Sequence, residues 1–176
     1  DPEGLVWYTD AGRNSVFSIH PKTGHVKEYH LLKKNQAVAA GKGESRGLTP
    51  YGLDVAPDGS IWYSKLNANR IGRIDPKAPD GDIKEWNPPF RGPRRHHVDQ
   101  DGIVWVPGFG SGVLGRFDPK TEKWTTYALP DYENQIPYAL NIDAKGIVWI
   151  CGTGNDTIGR FDPKTERLIE IPMPTR

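Results

Sequence analysis

The residues best equipped for chemistry fall at two recurring places in this 176-residue chain. One directly follows a proline: Tyr51 after Pro50, Arg94 after Pro93 and Tyr138 after Pro137. The other lies three residues after a tryptophan, at Asp10, Lys65, Gly108 and Gly152. These positions supply phenols, cations, a carboxylate and open glycine backbone. Such a set suits the binding of a carboxylate or the polarisation of a carbonyl better than proton transfer, since phenol and guanidinium titrate far above neutral pH. Arg91, Arg95, His96 and His97 surround Arg94 and make a local basic patch, the plain alternative being a solvated loop without a ligand. Adjacent histidines in a strand point to opposite faces, so His96 and His97 cannot share a metal ion, although one of them can line a channel. His20, His25 and His30 read as solvated surface, and Cys151, after Val148-Trp149-Ile150, as a packed thiol. There is no zinc-type spacing, phosphate-binding glycine loop or Gly-x-Ser-x-Gly elbow. The ligand-binding candidates are therefore Asp10, Tyr51, Lys65, Arg94, Arg95, His96 and Tyr138, with no catalytic residue and no metal ligand assigned.

What must position these residues is a repeat. Val6-Trp7-Tyr8, Ile61-Trp62-Tyr63, Val104-Trp105-Val106 and Val148-Trp149-Ile150 are separated by 55, 43 and 44 residues. Each Trp has a Gly three positions before it (Gly4, Gly59, Gly102, Gly146) and an aliphatic residue nine after (Val16, Ile71, Leu114, Ile158). Then follows His20-Pro21-Lys22 or an Asp-Pro-Lys run at Asp75, Asp118 and Asp162. A strand-rich period in the forties is the mark of propeller blades. In the second repeat, strand A is expected over Tyr51 to Ala56, B over Ser60 to Lys65, C over Arg70 to Ile74 and D around Ile83 to Trp86, with a two-residue insertion at Pro79-Asp80. The expected fold is an all-β propeller with blades at about 1–31 (lacking strand A), 50–90, 93–130 and 137–174, and an inter-blade loop at 32–49. Only Asp1 to Leu5 precede the first strand B. Because a propeller hides its edges by closing, the chain is expected to be part of a larger ring, its further blades coming from the same polypeptide or a second chain. The four tryptophans are expected to be buried between blades. Strand direction puts the start of A and the end of B on one face, where Tyr51, Arg94, Tyr138 and Asp10 or Lys65 are expected to converge around the channel.

Composition excludes several classes. Gly (20) and Pro (16) are spread through a chain that is 36% hydrophobic and 26% charged, favouring short strands over long helices. A net charge of +1 implies neither nucleic acid nor a membrane surface as partner, and a single cysteine excludes an internal disulfide framework. No transmembrane run or signal peptide is present, but Asp1 is not a typical translation start. A periplasmic or extracellular location is the expectation.

The segment Pro50-Tyr51-Gly52-Leu53, then Asp58-Gly59-Ser60-Ile61-Trp62-Tyr63, then Asn67-Ala68-Asn69-Arg70-Ile71-Gly72-Arg73-Ile74 resembles the blade of the virginiamycin B lyase (streptogramin lyase) family. That resemblance extends over essentially the whole chain. It implies an enzyme that opens a cyclic depsipeptide ester by elimination, with a His after the strand-A Pro as base and Glu residues at the end of strand B holding magnesium. Here the base position holds Tyr51, Arg94 and Tyr138, and the metal position holds Asp10, Lys65, Gly108 and Gly152. The resemblance therefore implies a lyase-like segment that forms part of a channel site for a small anionic or ester-containing ligand, with magnesium belonging to the complete protein. Two alternatives are a non-catalytic binding or interaction module and a lactonase-type hydrolase. The second needs a calcium cage of acids and amides, and Asp10, Asn14, Asn69 and Asp156 do not gather on one strand-A position.

Overall fold

Turn-forming residues recur so often that no strand grows beyond six residues in the computed structural model, which describes residues 1–31, 50–130, 133 and 136–174. The expected inter-blade loop at 32–49 lies outside the described residues. Among the described residues there are fifteen strands and no helix, hence no helix long and apolar enough to cross a membrane. Blade 1 comprises β1 (Val6–Asp10), β2 (Ser15–Ile19) and β3 (Val26–His30). Blade 2 comprises β4 (Pro50–Val55), β5 (Ile61–Lys65), β6 (Arg70–Ile74) and β7 (Lys84–Trp86). Blade 3 comprises β8 (His97–Val98), β9 (Val104–Gly108), β10 (Val113–Asp118) and β11 (Lys123–Ala128), and blade 4 comprises β12 (Pro137–Ile142), β13 (Val148–Gly152), β14 (Thr157–Asp162) and β15 (Arg167–Pro172). Each is an antiparallel sheet whose strands lie in chain order, so the fold is an all-β propeller of four-stranded blades, the first showing three.

The conserved spacing around each Trp is turn chemistry. Gly4, Gly59, Gly102 and Gly146 sit at φ of 80 to 84°, a left-handed conformation that a side chain would strain. Seven residues after each Trp the chain turns left-handed again, at Asn14, Asn69, Gly112 and Asp156, residue types that tolerate it. Six residues before three of the tryptophans stands an aspartate that ties the hairpin. Asp1, Asp99 and Asp143 each accept two backbone N–H bonds through Oδ1, and through Oδ2 the indole N–H of Trp7, Trp105 and Trp149 at 2.7, 2.8 and 2.9 Å. These bonds, led by the Trp149 indole, hold the Asp143 carboxyl below the usual carboxylate range. Blade 2 has Ala56 at this position, and Asp58 instead accepts from the Ser60 N–H and hydroxyl.

The chain resolves into two compact units, 1–87 and 88–176. In the first, Val16, Tyr29 and Leu31 of blade 1 pack on Ile61, Tyr63 and Ile74 of blade 2, with Trp7, Leu53, Val55 and Ile83 around them. In the second, Trp105, Leu114 and Leu129 pack on Val148, Ile150 and Phe161 in the equivalent arrangement. Trp62 and Trp105 are buried as expected, but Trp7 and Trp149 are half-buried. Cys151 is exposed rather than packed, because alternation along β13 puts it on the Trp149 side of blade 4, away from the Val148 and Ile150 side that meets blade 3.

Candidate functional site

The residue after each strand-A proline sits at an irregularity in the sheet. Pro50 pairs with Lys65 but Leu53 with Tyr63, so β4 carries one residue more than β5 opposite. Pro137 pairs with Gly152 and Ala139 with Cys151, again one extra. In blade 3 an isolated bridge joins Pro93 to Gly108 before His97 pairs with Trp105, with the same single excess. A bulge frees its residue from the up-down alternation of the strand and re-aims the side chain. Tyr51, Arg94 and Tyr138 occupy these bulges and are all half-buried.

In the second unit the bulges bring side chains together. The Arg94 guanidinium lies between two rings, 3.8 Å from the Tyr138 centroid and 4.1 Å from that of Phe109. The rings themselves meet edge to face at 6.3 Å. Arg95, which is exposed, reaches Tyr138 at 5.2 Å, and a parallel bridge from Arg95 to Ala139 joins the two strand entries. Each cation over a ring contributes about 0.5 to 2 kcal/mol, depending on how dry it is, and the guanidinium sits in the corner that the two near-perpendicular rings make. The loop beneath is pinned as well: the Phe109 N–H donates to Gly92 O, Gly110 N–H to Arg91 O, and Arg91 N–H to Ser111 Oγ at 2.9 Å. Phe90 is buried against Gly108, Gly115 and Trp124. His96 is also buried, so it presents almost no ring to solvent. Arg94, Arg95, Tyr138 and Phe109 thus form a fixed, positively charged, aromatic-walled surface. Phe109 was not foreseen, since it stands one residue beyond the strand-B exit, where the repeat is least regular.

The first unit treats its candidates differently. Tyr51 lies at its bulge, next to Gly52, whose N–H donates to the buried Ser64 hydroxyl at 2.9 Å. Asp10 is committed to its own loop, where Oδ1 accepts the N–H groups of Gly12 and Arg13 at 2.8 and 3.1 Å. Lys65, expected to face a ligand, is fully buried and its ammonium meets Glu85 Oε1 at 2.5 Å. The reason is parity. Three residues from Trp62 along a strand is an odd number, so Lys65 shares a face with Ile61 and Tyr63 and points into the packing between blades 1 and 2. The same Glu85 accepts from the Tyr63 hydroxyl at 2.7 Å and from Arg70 at 2.9 Å. Burial alone would raise the Glu85 carboxyl, but the Lys65 ammonium and the two other donors, Arg70 and Tyr63, outweigh it and hold it below its ordinary value. Burial and then the Glu85 charge push the Tyr63 phenol well up, and burial pulls the Lys65 ammonium down. This tetrad is structural. What allows it is the cross-strand row Tyr63, Gly72, Glu85, in which the absent side chain of Gly72 lets the phenol cross to the carboxylate.

A divalent cation does not fit the matched strand-B positions: Asp10 caps a turn, Lys65 is an ammonium, and Gly108 and Gly152 carry no ligand. Among the described residues no three His, Cys, Asp or Glu side chains cluster to hold a metal.

The model of the virginiamycin B lyase family matches residues 1–176. Among solved structures, virginiamycin B lyase from Staphylococcus aureus is 27% identical with a TM-score of 0.79 over 98% of this chain and 53% of its own. A streptogramin B lyase is 26% identical with a TM-score of 0.80, over 98% of this chain and 52% of its own. Hydrazine synthase of Kuenenia stuttgartiensis, at 16% identity and a TM-score of 0.73 over 94% of this chain and 45% of its own, shares the fold alone. No curated protein matches. The chain therefore spans about half the length of the solved lyases it resembles.

Proposed function

The chain belongs to the virginiamycin B lyase family, and from that premise we propose that it forms a binding wall for a small ester-containing or anionic ligand, without itself carrying the acid-base chemistry. The observation that supports this reading is the Arg94 guanidinium held against both Phe109 and Tyr138 at the position where the family resemblance calls for a base. A guanidinium keeps its proton at any physiological pH, so it orients a carboxylate or polarises a carbonyl but accepts nothing. Contact with both rings restricts the guanidinium before the ligand arrives, which lowers the entropy lost on binding. The phenols at Tyr51 and Tyr138 stand at the equivalent entries, each with a hydroxyl able to donate a hydrogen bond.

One of the solved relatives is a catalytically inactive virginiamycin B lyase from Staphylococcus aureus with quinupristin, which makes this compound the natural probe. Calorimetric titration of quinupristin into the chain is expected to show binding that weakens roughly 10- to 100-fold on Arg94→Ala. Arg94→Lys should recover only part, because an ammonium offers no planar fork. Equal affinity for wild type and Arg94→Ala would remove the basis of the proposal. The turn-capping role of Asp10 favours this binding reading over a lactonase-type calcium cage.

A further inference from the structure

Four turns join strand C to strand D in the described blades, and three of them begin with an aspartate. Asp75, Asp118 and Asp162 each accept, through Oδ1, the N–H of the residue two further on, Lys77, Lys120 and Lys164, at 3.0, 2.9 and 3.0 Å. A carboxylate accepts such bonds at any pH at which it is ionised. The Lys120 N–H, first among the groups around it, holds the Asp118 carboxyl below its ordinary value of 3.8. Blade 1 has His20 at this position. Its turn otherwise matches those of blades 3 and 4: Pro21-Lys22-Thr23 corresponds to Pro119-Lys120-Thr121 and Pro163-Lys164-Thr165. Gly24 takes the left-handed conformation, at φ 71°, that Glu122 and Glu166 take at 55° and 52°.

The imidazole takes over the carboxylate's part with its Nδ1, which accepts the N–H groups of Lys22 and Thr23, each at 3.3 Å. An imidazole nitrogen accepts only while it carries a lone pair, so the closed turn requires the neutral ring with its proton on Nε2. A protonated ring has an N–H at both nitrogens and sets one donor against two others. Protonation also adds a positive charge among cations. His20 and His25 are cross-strand neighbours, the His20 N–H donating to His25 O at 2.9 Å. Both line a cavity of about 370 Å³ with Glu3 ahead of β1, Lys27 and Tyr29 of β3, and Pro76 of the blade 2 turn. Lys22 lies in the turn itself, and Asp75 and Lys77 flank Pro76, with Asp75 Oδ1 engaged by the Lys77 N–H. The carboxylates around His20 are thus Glu3 and the turn-bound Asp75, set against Lys22, Lys27, Lys77 and His25.

We propose that the C–D turn of blade 1 is a pH-responsive element: the neutral His20 ring closes it, and protonation of that ring releases the Lys22 and Thr23 N–H groups while the three aspartate turns stay closed. Histidine is the side chain whose charge changes between about pH 5 and 8. This turn therefore loosens on acidification over a range in which a carboxylate-capped turn does not respond. The release is local, since the ladder between β2 and β3 holds the rest of the hairpin. It involves neither Arg94 nor any ligand and stands or falls separately from the binding reading.

Nuclear magnetic resonance of the full chain, without ligand, from about pH 8 down to about pH 5 tests it. At the upper pH the proton–nitrogen correlations of the His20 ring are expected to show Nε2 protonated and Nδ1 bare. As pH falls, the Lys22 and Thr23 amide resonances should follow the titration of the His20 ring. Their protection against hydrogen exchange, corrected for the intrinsic rate at each pH, should drop roughly 10-fold. The Lys120 and Lys164 amides are the internal references and should keep theirs. His20→Asp supplies the acceptor of the other three turns and should abolish the response with the fold intact. His25→Asn should leave the response in place, which assigns it to His20. A His20 ring with its proton on Nδ1 at the upper pH overturns the proposal. So does unchanged protection of the Lys22 and Thr23 amides in the wild type, or a response that survives His20→Asp or disappears with His25→Asn.

Discussion

Arg94 and Lys65 are both cations at repeat-defined positions, yet the fold uses them in opposite ways. Arg94 sits at a bulge, its guanidinium held by rings on a surface that Arg95 opens to solvent. Lys65 sits on a regular strand and disappears into an ion pair. Reading the sequence by distance from Trp located both residues correctly along the chain, but only parity tells where a strand side chain points, and only pairing reveals a bulge. Glu85 was invisible for the same reason: it lies on the outermost strand, after a two-residue insertion, and its significance comes from the register that sets it beside Gly72. Its burial beside Lys65 carries a prediction. Glu85→Gln leaves an ammonium buried without its counter-charge and should destabilise the protein by about 3 to 5 kcal/mol, whereas Lys65→Met combined with Glu85→Leu should be close to neutral. The Glu85 carboxyl is held below its ordinary value of 4.5 in the folded protein. Its contribution to stability is therefore fully present above about that pH and is lost as pH falls through the lower, folded value. Urea unfolding as a function of pH should accordingly show a shallower acid decline in the double variant than in the wild type. Equal slopes would mean that the tetrad is not the acid-sensitive element.

At the scale of the element, nearly every strand was legible, since Trp, turn glycine and Asp-Pro-Lys recur with fixed spacing and each has a local cause. Strand A of blade 3 was not: β8 spans only His97–Val98 because the preceding residues are taken up by the bulge and by the bonds to Pro107 O and Gly92 O. The glycine ten residues after each later Trp shows how one motif position meets different demands. A Cβ on Gly72 would overlap the Tyr63 ring, and one on Gly115 the Phe90 ring, while one on Gly159 would stand 3.4 Å from Ile150, an ordinary contact. Gly72→Ala and Gly115→Ala should therefore cost about 1 to 3 kcal/mol by overpacking, with Gly159→Ala much milder. Thermal unfolding of the three variants checks this order. A Gly159→Ala variant as damaged as the other two would show that the glycines are required by the backbone and not by the rings that cross them.

At the scale of the whole molecule, family membership was legible because the repeat motif is distributed over all the blades, and the fold follows from it. Function was less so, because in this chain the places that distinguish one member from another hold Tyr51, Arg94, Tyr138 and a buried Lys65. The central claim is that Arg94 and the rings around it bind without transferring a proton. Its most direct test is to incubate the chain with quinupristin and magnesium and follow opening of the ester by mass spectrometry, beside a titration that confirms occupancy. The account predicts occupancy without ester opening. Turnover by this chain that is abolished by Tyr51→Phe or Arg94→Ala would contradict it.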